Sequence, residues 1–209
     1  MDTHPLVQGL RDDGWTETPC GHPQSRILQV LSGTQGMILK GFTLPSAGYT
    51  ILVFYTGNGL EGWPDIIHGG LITTLFDEAA NLHNGGQYWS APYQVVIDFK
   101  ESIRPGEIYS ILVPPSGWEE SIDQQGRPVA MATHVGLLMR MEYPPEIVTE
   151  VDEVAKTKRD VVTIPTRGSN NSVFAQATFY FVGSPFNEDG TRIVPEGYTG
   201  AQASFDKKP

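Results

Sequence analysis

The chain has 209 residues, 39% apolar and 18% charged, with a formal charge of −10. That length suits one domain with a substantial core. The acidic balance disfavours sequence-independent nucleic-acid binding, and no apolar run reaches the roughly 18 residues of a membrane span. The single cysteine, Cys20, excludes an internal disulfide and a cysteine-rich zinc site.

Residues 1–25 read as an N-terminal cap segment. Leu6, Val7 and Leu10 stand at helical spacing there, before a Pro/Gly/His stretch stops the pattern. Its start lacks both the basic residues and the continuous apolar segment of a targeting peptide, so the expected location is the cytoplasm. The runs RILQVL, GMILKGFTL and YTILVFYT, separated by turn residues, predict strands before residue 60.

The stretch GWPDIIHGGLITTLFDEAANLHNGG, residues 62–86, breaks that pattern. At about 100° per residue Leu71, Ile72, Leu75, Phe76, Ala79, Ala80 and Leu82 share one side of a helix, and NGG at 84–86 supplies its stop. Four more strand candidates follow: QVVIDFK, EIYSILV, PVAMATHVGLLMRME and VFAQATFYFV. The last alternates Val173, Ala175, Ala177, Phe179 and Phe181 on one face. The composition of elements is α+β, one long helix among roughly seven strands. Residues 143–171, with mixed charge and a weak helical pattern, read as an insertion, and 183–209 as a tail of turn composition.

The same helical wheel leaves Gly70, Thr73, Asp77 and Asn81 in one line opposite the apolar side. Two glycines at a helix start suit a backbone that something must approach closely. The unpaired N–H groups there suit a carbonyl oxygen that becomes an oxyanion. The stripe is short of charge for a solvent face, with one acid, small residues and an amide. Asp77 lies eight residues after Gly69, roughly 12 Å along the axis. If both act on one carbonyl, the carboxylate comes from a second copy of the helix across a two-fold axis.

These residues resemble the hotdog-fold acyl thioesterases, in particular the phenylacetyl-CoA type branch. The resemblance is carried by EGWP, by His68-Gly69-Gly70 with an acid nine residues after the histidine, and by IDFKESIRPGE at 97–107. It covers about residues 26–142 and 172–182, making 26–182 the hotdog domain. It implies a long helix wrapped by an antiparallel sheet, and a homodimer or dimer of dimers with its site between subunits; the insertion read at 143–171, before the last strand, is not typical of that pattern. It further implies that the turn of His68, Gly69 and Gly70 polarises a thioester carbonyl and that the partner's copy of Asp77 acts as base or nucleophile. Thr73, Asn81, Gly70 and Glu78 would line the substrate. No cofactor is implied. Where relatives carry an amide six residues before the histidine, this chain has Gly62, with Asn58 the nearest amide. Ser102 replaces the proline common in the turn after the Phe-Lys pair, and Ser90 is the serine nearest the hydroxyl that relatives place after the acid.

The implied substrate is a small-molecule acyl thioester, carried on coenzyme A or a carrier, with no nucleic acid and no membrane as partner. The alternatives are a non-hydrolytic dehydratase, isomerase or cyclase acting on a polyketide-like intermediate, and a non-catalytic acyl-binding dimer. Glu78 reads as a salt bridge or polar rim beside Asp77, and His83 as a structural residue favoured by the helix dipole. Trp63, Trp89 and Trp118 read as core or lid packing, with the lining of an aromatic acyl pocket as the alternative. Lys40, Lys100 and Arg104 are the candidates for a coenzyme A phosphate. His134 stands in a strand with no metal-ligand spacing, and no motif predicts a metal.

Overall fold

The computed structural model describes residues 1–20, 31, 36–84, 92, 94–116, 118–122, 128–152, 157–163 and 173–183. The chain opens with helix α1 (Pro5–Asp12). His4 caps it by accepting from the Leu6 N–H, and Pro5 fits the first turn, where its missing N–H costs nothing. Strands β1 (Thr16–Thr18), β2 (Met37–Leu44) and β3 (Tyr49–Thr56) follow in antiparallel order. Of the run at 26–31 only Leu31 is described. It is helical and half-buried against the core, so the strand expected there is not met at that residue.

A short 3-10 turn (Asn58–Leu60) and the small pair β4 (Glu61–Trp63) and β5 (Ile66–Ile67) lead into helix α2 (Gly69–His83). The sheet then gains β6 (Gln94–Phe99), β7 (Ile108–Val113), β8 (Trp118–Ile122), β9 (Pro128–Met139) and β12 (Val173–Gly183). Its order is β1-β2-β3-β7-β9-β12-β6, antiparallel throughout, with β8 beside the first part of β9. An antiparallel sheet with few helices fits a hotdog fold.

Helix α2 lays Leu75, Phe76, Ala79 and Ala80 on the sheet, against Leu52, Phe54, Ile111, Ala177 and Phe179. Gly136 on β9 permits that approach, because a Cβ there would stand 2.9 Å from the Phe76 ring. The opposite face of the sheet is covered as well. Leu6, Val7 and Leu10 of α1 pack with Trp15 on Phe42, Ile51, Val53, Leu112 and Met139. In β3, Leu52 and Phe54 therefore face α2 while Ile51 and Val53 face α1, and both sets are fully buried. This two-sided burial explains why YTILVF is a continuous apolar run instead of an alternating one.

The segment at 143–171 departs from its weak helical pattern. Strands β10 (Glu146–Asp152) and β11 (Thr157–Thr163) pair antiparallel in it, placing Ile147 opposite Val162. β-branched residues at 147, 148, 161 and 162 favour the extended backbone. Val162 joins the cluster under α1, and Gly9 of α1 lies so close to Pro144 that a Cβ would meet its ring at 2.7 Å. The N-terminal helix and this hairpin thus form one cover on the outer sheet face. The tail 184–209 lies outside the described residues. Among the described residues, no helix is long and apolar enough to cross a membrane.

Candidate functional site

Helix α2 begins in a turn whose donors are almost all assigned. His68 is its N-cap: the Gly70 N–H donates to His68 Nδ1 at 2.9 Å, and the Leu71 and Ile72 N–H groups donate to the His68 carbonyl at 3.0 and 3.3 Å. That leaves the Gly69 N–H as the remaining donor of the first turn. The Gly70 N–H, expected to face a substrate, donates here to the histidine's own ring.

The ring lies in a slot made by absence of side chains. A Cβ on Gly62 would stand 2.9 Å from His68 Cδ2, and one on Gly70 would stand 2.9 Å from Cε1 and Nδ1. Gly62 therefore leaves the space that an amide side chain would take to the His68 imidazole. The backbone here is pinned by the His68 N–H donating to Leu60 O and the Ile67 N–H to Ile103 O.

Beside this turn runs a groove of about 360 Å³, lined by Trp63, Ile66, His68, Gly69, Ile72, Phe99, Lys100 and Ser102 among others. Phe99 ends β6 and is 50% exposed, and Trp63 is 74% exposed at the rim of the groove, so it is not a core residue. Trp89 and Ser90 lie outside the described residues, as does the side chain of Trp118. Of the cations considered for a phosphate, Lys100 lines the groove. Lys40 is committed elsewhere, to Glu17 at 2.6 Å and Asp2 at 3.0 Å.

Along α2 the stripe Gly70, Thr73 and Asp77 is exposed, and Asn81 is half-buried. Asn81 Nδ2 donates to Asp77 Oδ2 at 3.5 Å, and Thr73 Oγ1 donates back to the Gly69 carbonyl at 3.2 Å, keeping that hydroxyl proton within the helix. The protein mass around Asp77 pushes its carboxyl above the ordinary carboxylate value, against the opposing pull of Asn81. A carboxylate so placed is a stronger base than one in open water. Glu78, expected at the rim of the same stripe, is buried instead. It lies about 100° round the helix, where its charge helps burial push the Cys20 thiol up to about 12.

The sequence offered no signal for a second polar group at the far end of α2. His83 Nδ1 lies 3.1 Å from Thr50 Oγ1 and its Nε2 lies 3.4 Å from Ser116 Oγ, which also contacts His134 Nδ1. Burial pushes His83 down to about 4 and His134 down to about 3, the latter helped by the repulsion the two rings would feel if both were protonated. His83 is thus a neutral ring in a hydrogen-bonded cluster and not the cation that the helix dipole would favour. Among the described residues no three of His, Cys, Asp or Glu gather as metal ligands would.

No family model matches the chain, and no curated protein matches it in sequence. Solved structures do resemble it. One is a thioesterase superfamily protein, at 14% identity and TM-score 0.44 over 69% of this chain and 53% of that one, so this chain spans about half its length. Another is the phenylacetic acid degradation protein PaaI from Thermus thermophilus, at 11% identity and TM-score 0.42 over 75% and 96%. A third is a Streptococcus mutans protein bound to acetyl CoA, at 16% identity and TM-score 0.39 over 78% and 98%.

Proposed function

We propose that the chain hydrolyses an acyl thioester, with Asp77 as base and the turn at His68-Gly69 as the carbonyl site. The observation that carries this reading is the exposed carboxylate of Asp77. It is raised by its surroundings and braced by Asn81, on the same helix face as an N-terminus that opens on an apolar groove. A polarised carbonyl, a water and a carboxylate to take the water's proton suffice for hydrolysis of a thioester, whose thiolate leaves without an acid.

Asp77 and Gly69 are separated by roughly 12 Å on one helix, so the reading requires a second copy. Strand β6 is where that copy docks. It ends the sheet, and Val95, Ile97 and Phe99 continue the row of Phe179, Ala177 and Ala175 on the α2 side. Val95 and Phe99 nonetheless remain 38% and 50% exposed. An apolar edge strand of this kind is a site for pairing with another copy.

The test is thiol release from a panel of short, long and aromatic acyl-CoA and acyl-pantetheine thioesters, with wild type and Asp77→Asn compared. Turnover that disappears in the variant supports the assignment. Turnover unchanged in the variant removes Asp77, and silence of both folded proteins favours the non-hydrolytic use of the same groups.

A further inference from the structure

One wall of the groove beside Gly69 is the loop after β6, which sets Lys100, Glu101, Ser102 and Ile103 along it. The loop closes in Arg104-Pro105-Gly106-Glu107, where a proline and a glycine at φ 81° suit the two centre positions of a tight turn. Both ends of that turn meet one hydroxyl. The Arg104 N–H donates to Tyr109 Oη at 3.0 Å, and Tyr109 Oη donates at 3.0 Å to Glu107 Oε2, which Arg140 Nη1 approaches to 3.1 Å. Next to Arg104, the Ile103 carbonyl accepts from the Ile67 N–H at 3.0 Å, and Ile67 leads directly into the N-cap His68. Resting on the thioesterase reading, we propose that Tyr109 is a positioning residue of the site. Its hydroxyl fixes Arg104, and through Ile103 it holds both the groove wall and the strand that delivers the helix cap.

The phenol ring is itself locked in place. It is buried, stacks on Phe54 with centroids 5.9 Å apart, and meets Phe174 edge to face at 5.4 Å. The Phe174 carbonyl accepts the Lys100 and Glu101 N–H groups at 2.8 and 3.0 Å, so the neighbour of Tyr109 anchors the opposite end of the loop. A phenylalanine at 109 would offer the same ring to this packing. What the hydroxyl adds is its hold on the loop. Burial pushes the phenol above its ordinary value, which keeps it protonated and donating to Glu107.

Two measurements on the full chain test this, with wild type and Tyr109→Phe compared. The first is amide hydrogen exchange read residue by residue, which needs no substrate. The expected result is exchange of the Ile67 amide faster by roughly tenfold, the scale of one lost hydrogen bond, with the amides between β9 and β12 unchanged. An Ile67 amide as slow as in wild type overturns the proposal. Equal acceleration throughout the sheet also overturns it, because that marks a loss of global stability only. The second is turnover well below the melting temperature. Because wall and turn shift together, KM should rise and kcat should fall, with kcat/KM lowered roughly tenfold. A lower kcat at unchanged KM is what a smaller folded fraction gives, and it overturns the positioning role, as does a variant within about twofold of wild type in both constants. Absence of turnover by wild type overturns the thioesterase reading, and the Ile67 amide then decides by itself whether Tyr109 holds the turn.

Discussion

The imidazole of His83, in the last turn of α2, meets that of His134 on β9 edge to face, with ring centroids 4.9 Å apart. Thr50, Ser116 and the two rings form one chain of contacts whose bonds can all be made with both rings neutral. Charging either ring places a cation in the interior, and burial alone has pushed His83 from 6.5 to about 4.

The consequence is acid sensitivity with a definite sign. Both folded values lie below the unfolded 6.5, at about 4 and about 3, so between them the unfolded chain binds protons that the native chain does not. Stability is then complete above pH 6.5 and falls as pH drops toward 4, by about 1.4 kcal/mol per pH unit for each ring. Thermal melts from about pH 8 to about pH 4 should show this loss, and a His83→Gln, His134→Gln variant should show a flatter profile. A wild-type Tm constant across that range contradicts the account.

How far these features could be read from sequence depends on the range over which they are encoded. The apolar spacing at 71–82 and the glycines at 69 and 70 are local, and the exposed stripe of α2 follows from them. The His83–His134 pair joins residues 51 positions apart, and each histidine alone has an ordinary setting. Lys40 looked free because its partners, Asp2 and Glu17, come from a cap segment whose docking is a tertiary event. The β10–β11 hairpin was hidden because EIVTEVD and TKRDVVT lack the strict alternation of apolar and polar residues by which a strand is recognised. Two-sided burial of the sheet was written in YTILVF, but a continuous apolar run alone does not say what covers the second face.

Asp77 should set the acid limb of the rate. A base must be ionised, so kcat falls as pH drops through its pKa, and desolvation moves that limb upward from the ordinary carboxylate value. Asn81 opposes the shift. Asn81→Ala should therefore move the limb to higher pH while leaving the alkaline plateau within about tenfold. An unshifted limb in Asn81→Ala would show that the hydrogen bond does not hold Asp77 in the working enzyme.

The glycines around His68 should respond differently to one methyl group. Gly62→Ala sets a Cβ 3.0 Å from the His68 Cα as well as against its ring, and backbone cannot rotate away. Overpacking of this sort costs about 1–3 kcal/mol. A Cβ on Gly69 meets only Phe99 Cζ at 3.7 Å and Cε1 at 4.0 Å, ordinary contacts, so Gly69→Ala should melt close to wild type. Denaturant midpoints distinguish them, and equal midpoints would refute the slot.

The cover on the outer sheet face predicts a separation of stability from activity. Leu10 is fully buried between α1 and the sheet, on the face away from the groove. Leu10→Ala should cost about 2–5 kcal/mol by leaving a cavity. Turnover measured well below the melting temperature should stay near wild type, and a large loss of kcat there would mean that the cover is coupled to the site.

Strand β6 offers the last test, because the proposed site is complete only in a pair. Val95 faces the α2 side, opposite Phe179, and is 38% exposed on a strand that ends the sheet. A lysine there can keep its charge in water in the single chain but would carry it into any copy docked along the edge. Val95→Lys should therefore sediment as a monomer with an unchanged circular dichroism spectrum, and its turnover should fall with the dimer fraction. If the monomer retains full turnover, Asp77 and Gly69 do not act across a two-fold axis. The roughly 12 Å between them on one helix would then exclude their joint action on one carbonyl.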